Sequence, residues 1–108
     1  MEQNNKLSPS CPIRTTMEML GGKWRLIIIN TIGTRTLRYG EIKNALPEIS
    51  EKMLAQELNI LVDNDLLNKQ SFDEVPLRVE YSLTENGYKA LQLIEPIKNF
   101  GLQYQKPI

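Results

Sequence analysis

Four residues, Pro47-Glu48-Ile49-Ser50, separate two stretches of helical apolar spacing just ahead of a hairpin pattern, and few folds accommodate that order. Upstream, Tyr39, Ile42 and Leu46 mark a brief helix that must end before Pro47, because the residue ahead of a proline disfavours the helical region. Downstream, Ser50 is a good N-cap for a helix of residues 51 to 64 with Leu54, Leu58, Leu61 and Val62 as its apolar stripe. Next come Leu67 to Phe72, a tip at Asp73-Glu74-Val75-Pro76, and Arg78 to Leu83. Val79, Tyr81 and Leu83 alternate with Arg78, Glu80 and Ser82, the period of a half-buried strand, whereas the first strand alternates poorly. Two helices on a four-residue turn followed by a two-stranded wing form a winged helix-turn-helix.

The remaining segments fit around that unit. Pro12 suits a first helical position, and Ile13, Met17 and Leu20 recur at helical spacing until Gly21-Gly22 stops the run. A second helix, about Lys23 to Ile32 and closed by Gly33, contains Leu26-Ile27-Ile28-Ile29 and should be the buried centre. Thr36-Leu37-Arg38 is short and is expected as an isolated strand. Thr84 caps a last helix reaching about Gln105, interrupted or kinked at Pro96. The expected fold is α+β: mostly helical, with a two- to three-stranded wing and a long C-terminal dimerisation helix. Residues 1 to 10 are expected as a mobile tail and 11 to 108 as a single domain.

Several function classes are excluded by what is missing. There is no histidine and only one cysteine, so Ser-His-Asp or Cys-His chemistry, a His-containing metal cluster and an intrachain disulfide all lack their residues. Gly21-Gly22-Lys23 is not a phosphate loop, because that spacing needs glycine at Met17 and Ser or Thr at Trp24. No enzyme, metal or cofactor is expected. No apolar run has membrane-spanning length and no export signal opens the chain, so a cytoplasmic protein without a membrane partner is expected. Net charge is zero but polarised: residues 14 to 43 carry +4 and residues 44 to 108 carry −4.

Lys52, Gln56, Asn59 and Asp63 lie opposite the apolar stripe of the helix after Ser50. Gln56 and Asn59 suit adenine, and Lys52 suits guanine or phosphate, although a solvated surface face would look the same. Arg78 beside the wing tip either enters a minor groove or pairs with Glu80 or a cross-strand partner. Arg38 and Lys43 either clamp phosphates or are scattered surface charges. Ser50 and Lys69 complete the set of DNA-binding candidates. Ala90, Leu93, Ile97, Phe100 and Tyr104 follow the 3.5-residue repeat of a helix seam, and either join two copies or pack on the chain's own core. Trp24 is core or interface packing. Cys11 precedes the positive end of the first helix at the edge of the tail, so it is a candidate redox sensor; the alternative is a small buried residue.

Particular residues carry a resemblance as well. C-P-I-R-T-T-M-E-M-L-G-G-K-W (Cys11 to Trp24), R-Y-G-E-I-K (Arg38 to Lys43), I-S-E-K-M-L (Ile49 to Leu54) and E-V-P-L-R-V-E-Y-S-L-T-E-N-G (Glu74 to Gly87) resemble the HxlR-type winged-helix regulators, relatives of the MarR group. The resemblance implies a homodimer on double-stranded DNA at a palindromic operator, usually as a repressor. It also implies a dimer face involving the first helix, hence Ile13 and Met17, and allows a small-molecule or oxidant inducer. Two positions depart from the family pattern: Glu57, where a basic residue is common, and Phe100, where a tryptophan is common. A winged helix turned to protein partners, with little DNA affinity, is the alternative.

Overall fold

The segment Arg25–Ile32 is apolar on almost every side and forms α2, the helix on which the other elements pack. This is seen in a computed structural model that describes residues 10 to 105. Residues 1 to 9 of the expected tail lie outside the described residues. Ile28, Ile29 and Ile32 of α2 are fully buried. Around them stand α1 (Pro12–Leu20), β1 (Leu37–Arg38), α3 (Tyr39–Ala45) and α4 (Glu51–Asp63), which contribute Leu20, Leu37, Ile42 and the trio Leu54, Leu58 and Leu61 to the same core.

Gly21 and Gly22 make the turn from α1 to α2. The Gly21 amide donates to the Met17 carbonyl at 2.8 Å, leaving no room for a Cβ, and Gly22 sits at φ +93°, where a side chain would be strained. The glycine pair is therefore a helix-stopping turn that sets α2 at its angle.

Strands β2 (Leu67–Phe72) and β3 (Arg78–Leu83) form the hairpin, and β1, expected as an isolated strand, instead pairs with β3 and gives the order β1-β3-β2, all antiparallel. Leu67 pairs with Leu83 at the body end and Phe72 with Arg78 at the tip. In β2 only Leu67 is buried and Asn68 to Ser71 are exposed, because β2 is an edge strand of the sheet, whereas β3 lies between β1 and β2 with Tyr81 and Leu83 in the core. That edge position accounts for the poor alternation of its sequence.

At the C-terminal end Thr84 accepts the Gly87 amide at 2.9 Å and caps α5 (Glu85–Leu91). Gly87 is pressed against the Leu66 carbonyl, which excludes any side chain there. The helical arm then breaks at Gln92-Leu93 and resumes as α6 (Ile94–Leu102). The expected interruption is present, displaced one turn upstream: Pro96 has no amide for the Gln92 carbonyl and its ring crowds that oxygen, so the chain breaks where the missing bond would have ended.

Candidate nucleic-acid interface

The turn between α3 and α4 is anchored from below by Ile49, which is buried, while Pro47, Glu48 and Ser50 face outward. Ser50 accepts the Met53 amide at 3.0 Å, the expected cap. Its hydroxyl is thus committed to the helix, which leaves it a structural part in the interface. A second lock joins the two helices: the Tyr39 hydroxyl donates to Glu51 Oε1 at 2.7 Å. Partial burial, reinforced by that carboxylate, pushes the Tyr39 phenol up to about 12. Glu51 also lies in the first turn of α4, where a negative charge complements the helix dipole.

Lys52, Gln56, Asn59 and Asp63 are all exposed along one side of α4, and none has a side-chain hydrogen bond or ion pair to any described residue. Lys52 and Gln56 occupy the N-terminal half of α4, the part a recognition helix inserts first. Asp63, the acidic member, is at the far end. Glu57 is elsewhere. It is turned inward, 8% exposed, and accepts Arg25 Nε at 2.9 Å. The departure from the family pattern therefore places no negative charge on the outward face.

The other basic candidates divide. Arg38 is exposed at the start of α3, where its own amide donates to Glu41 Oε1 at 2.7 Å and its side chain lines a groove beneath the wing tip. Lys69 is exposed on β2. Lys43 is half-buried and donates from Nζ to the Pro47 carbonyl at 3.3 Å, bracing the turn. Arg78 differs from the minor-groove expectation. Its guanidinium meets Glu74 at 2.9 Å and Glu80 at 3.4 Å and stacks 3.9 Å from the Phe72 ring centre. With its charge matched by two carboxylates, Arg78 holds the wing together, which is the alternative the Glu80 neighbour had offered.

The seam residues divide as well. Ile13 and Met17 on α1, Leu93 just before α6, Ile97 and Phe100 on it, and Tyr104 just after it are exposed. Ala90 is buried in the chain's own core, so it belongs to the fold and not to a seam; the break before α6 separates it from the rest of the stripe. Trp24 is half-buried against the same core, with Lys23 over its ring. Cys11 is 3% exposed, so the accessibility expected at the edge of the tail is not found. Sequence reasoning missed the Arg25 to Glu57 pair. Its signal was an arginine opening an otherwise apolar helix, together with a glutamate flanked by Leu54, Leu58 and Leu61 on the helical wheel.

Among the described residues no group of three or more His, Cys, Asp or Glu side chains could hold a metal, and no helix is long and apolar enough to cross a membrane. The profile of the HxlR-like helix-turn-helix family matches residues 19–108. The chain belongs to that family. It is a DNA-binding helix-turn-helix regulator of transcription and not an enzyme. Its similarity to other HxlR-type proteins runs nearly end to end. A candidate regulatory protein of Fusobacterium mortiferum, MalR, is 39% identical over 102 residues, spanning 94% of each chain. Among solved structures, a candidate MarR-family transcriptional regulator of Porphyromonas gingivalis W83 superposes with a TM-score of 0.86 at 48% identity, covering 91% of this chain and 96% of the other. The oxidized form of the redox regulator HypR gives a TM-score of 0.80 at 28% identity, covering 91% and 100%.

Proposed function

We propose that this HxlR-type chain acts as a homodimeric, cytoplasmic repressor that occupies a palindromic operator, its single domain over residues 11 to 108 presenting one α4 to each half-site. The observation that carries the reading is the outward face of α4: Lys52, Gln56 and Asn59 are exposed, unpaired within the described residues, and project from a helix whose other side is locked into the core. Gln56 and Asn59 have the paired donor and acceptor that adenine requires, and Lys52 suits guanine or phosphate. Arg38 and Lys69 supply backbone contacts, which place the helix without reading sequence.

Dimerisation follows from the apolar side chains on α1 and α6. Ile13, Met17, Ile97, Phe100 and Tyr104 are exposed, and a two-fold contact lets the same residues cover one another. Such a dimer must set its reading helices about 34 to 36 Å apart to meet two half-sites on one face of the duplex. Response to an oxidant or small molecule is supported by likeness to HypR, a redox regulator by name, and by the single thiol just before α1.

Fluorescence anisotropy on DNA from the region upstream of the chain's own coding sequence, at about 50 and about 200 mM salt, tests the proposal. Retention of one site over scrambled DNA at both concentrations is expected, with overall affinity falling as salt rises because counterions are released. Equal, weak binding to all sequences would transfer the outward face of α4 to a protein partner.

A further inference from the structure

Glu57 lies about 140° around α4 from Lys52, on the side of Leu54 and Leu61, and DNA reading makes no use of it. Its partner Arg25 opens α2 three residues after Gly22. Arg25 makes two bonds at once: Nε donates to Glu57 Oε1 at 2.9 Å, and Nη1 donates to the carbonyl of Glu18 in the last turn of α1, also at 2.9 Å. The ion pair is largely withdrawn from solvent, with side-chain exposures of 19% for Arg25 and 11% for Glu57. A pair this dry is weak evidence for stability, since desolvation offsets much of the attraction and apolar substitutes often fold as well or better. What it supplies is direction. Contacts of Leu54, Leu58 and Leu61 are non-directional and tolerate small rotations of the helix, whereas a charge-assisted hydrogen bond fixes distance and angle.

The other polar holds on α4 act at its start, through Ser50 and through Tyr39 on Glu51. Arg25 grips its middle and ties it to the C-terminal end of α1. On a helix about 10 to 12 Å across, a 20° roll moves a side-chain tip by about 2 Å, enough to lose a base-edge hydrogen bond. We propose that Arg25 and Glu57 are positioning residues: they fix the roll of α4 about its own axis and couple it to α1, the helix whose exposed Ile13 and Met17 belong to the dimer face. The inference rests on α4 reading DNA and on that dimer face, and its test has one arm that needs neither.

The full chain carrying Cys11→Ser, with spin labels at Thr16→Cys on α1 and Asp63→Cys on α4 and mixed with a large excess of unlabelled Cys11→Ser chain so that a dimer holds at most one labelled copy, gives the intrachain distance between the two helices. A single narrow distribution is expected with the pair intact. The double variant Arg25→Met with Glu57→Met should broaden or shift it without lowering the melting temperature. On the duplex from the upstream region that the unlabelled wild type retains best, the same double variant should lose about tenfold in affinity while scrambled DNA is bound as before. Arg25→Lys, which keeps the charge but lacks the fork that spans both acceptors, should show the same distance change to a lesser degree and covers the case in which the double variant does not fold. Glu57→Gln, which keeps an acceptor in place, should restore most of the discrimination. An unchanged distance distribution in both Arg25 variants, or wild-type discrimination in the double variant, overturns the positioning role. If the wild type prefers no duplex, the reading role of α4 fails, and the distance arm alone supports or overturns the coupling of α4 to α1.

Discussion

Truncating Phe100 to alanine should separate the two copies without harming the fold of either. Phe100 has 64% of its surface exposed and its nearest aromatic partner is Tyr104 on the next turn, with ring centres 5.1 Å apart, so it contributes little to the chain's own core. An aromatic side chain can bury about 150 to 250 Å², which puts about 130 Å² per protomer at stake in a two-fold seam. At about 25 cal/mol per Å² that is ~3 kcal/mol for each copy, of which an alanine keeps roughly a third. Both copies lose it together, for a total of about 4 kcal/mol and at most a thousandfold weaker dimer. Ordering of side chains and imperfect fit absorb part of this, so a loss between about tenfold and a thousandfold is expected. Sedimentation across a concentration series measures it, with the melting temperature of the monomer as control. An unchanged dimer constant would refute the assignment of α6 to the seam, and a collapse of the monomer's own stability would refute the claim that Phe100 stands outside the core.

Gln56→Ala should cost about 1 to 3 kcal/mol on the retained duplex and relax discrimination there, measured by anisotropy against single-base variants; equal loss on scrambled DNA would remove Gln56 from the reading set. Arg78→Ala should leave the salt dependence of binding unchanged, because Glu74 and Glu80 already match its charge, and should instead increase amide exchange in β2 and β3; a salt slope lower by about one would return Arg78 to the phosphate contacts. Tyr39 holds its proton more tightly folded than unfolded, so its contribution to stability is fully present below its ordinary value near 10 and is lost as pH rises through about 12. Denaturant midpoints over that window should fall in wild type and stay flatter in Tyr39→Phe, and parallel curves would contradict the hydroxyl's place at Glu51. Because Cys11 is buried, diamide should release wild type from DNA only as fast as the start of α1 opens, and Cys11→Ser should be indifferent; identical behaviour of the two proteins would end a sensing role.

The order and bounds of the elements were legible because local chemistry set most of them. Pro47 stops α3, Ser50 and Thr84 cap the helices that follow them, and Val79, Tyr81 and Leu83 alternate along the central strand of the sheet. The outward face of α4 was readable for the same reason, since helical geometry alone separates Gln56 from Leu58. What local chemistry could not supply was pairing at a distance. Arg25 and Glu57 are 32 residues apart, and nothing near either names the other. The arginine at the wing was ambiguous until the folded hairpin placed Phe72 beside it and Glu74 within reach. Ala90 fits the seam spacing in sequence, but the break before α6 turns that stripe onto two surfaces, one facing the core and one facing out.

That break also divides the molecule by task. Helix α5 is riveted to the start of the wing, with Gly87 against the Leu66 carbonyl and Asn86 donating to Asp65 at 3.0 Å, whereas α6 carries the outward apolar residues. Gln92 and Leu93 join α5 to the arm whose apolar residues face outward, while α1, with Ile13 and Met17, is tied to α4 separately through Arg25. On the proposed dimer, the stride between two half-sites is therefore set by α1 and the outward arm, and the letters within each by the face of α4. On that reading, a change confined to the joint should re-space the operator and leave its spelling intact, while a change on the face of α4 should respell it at the same stride.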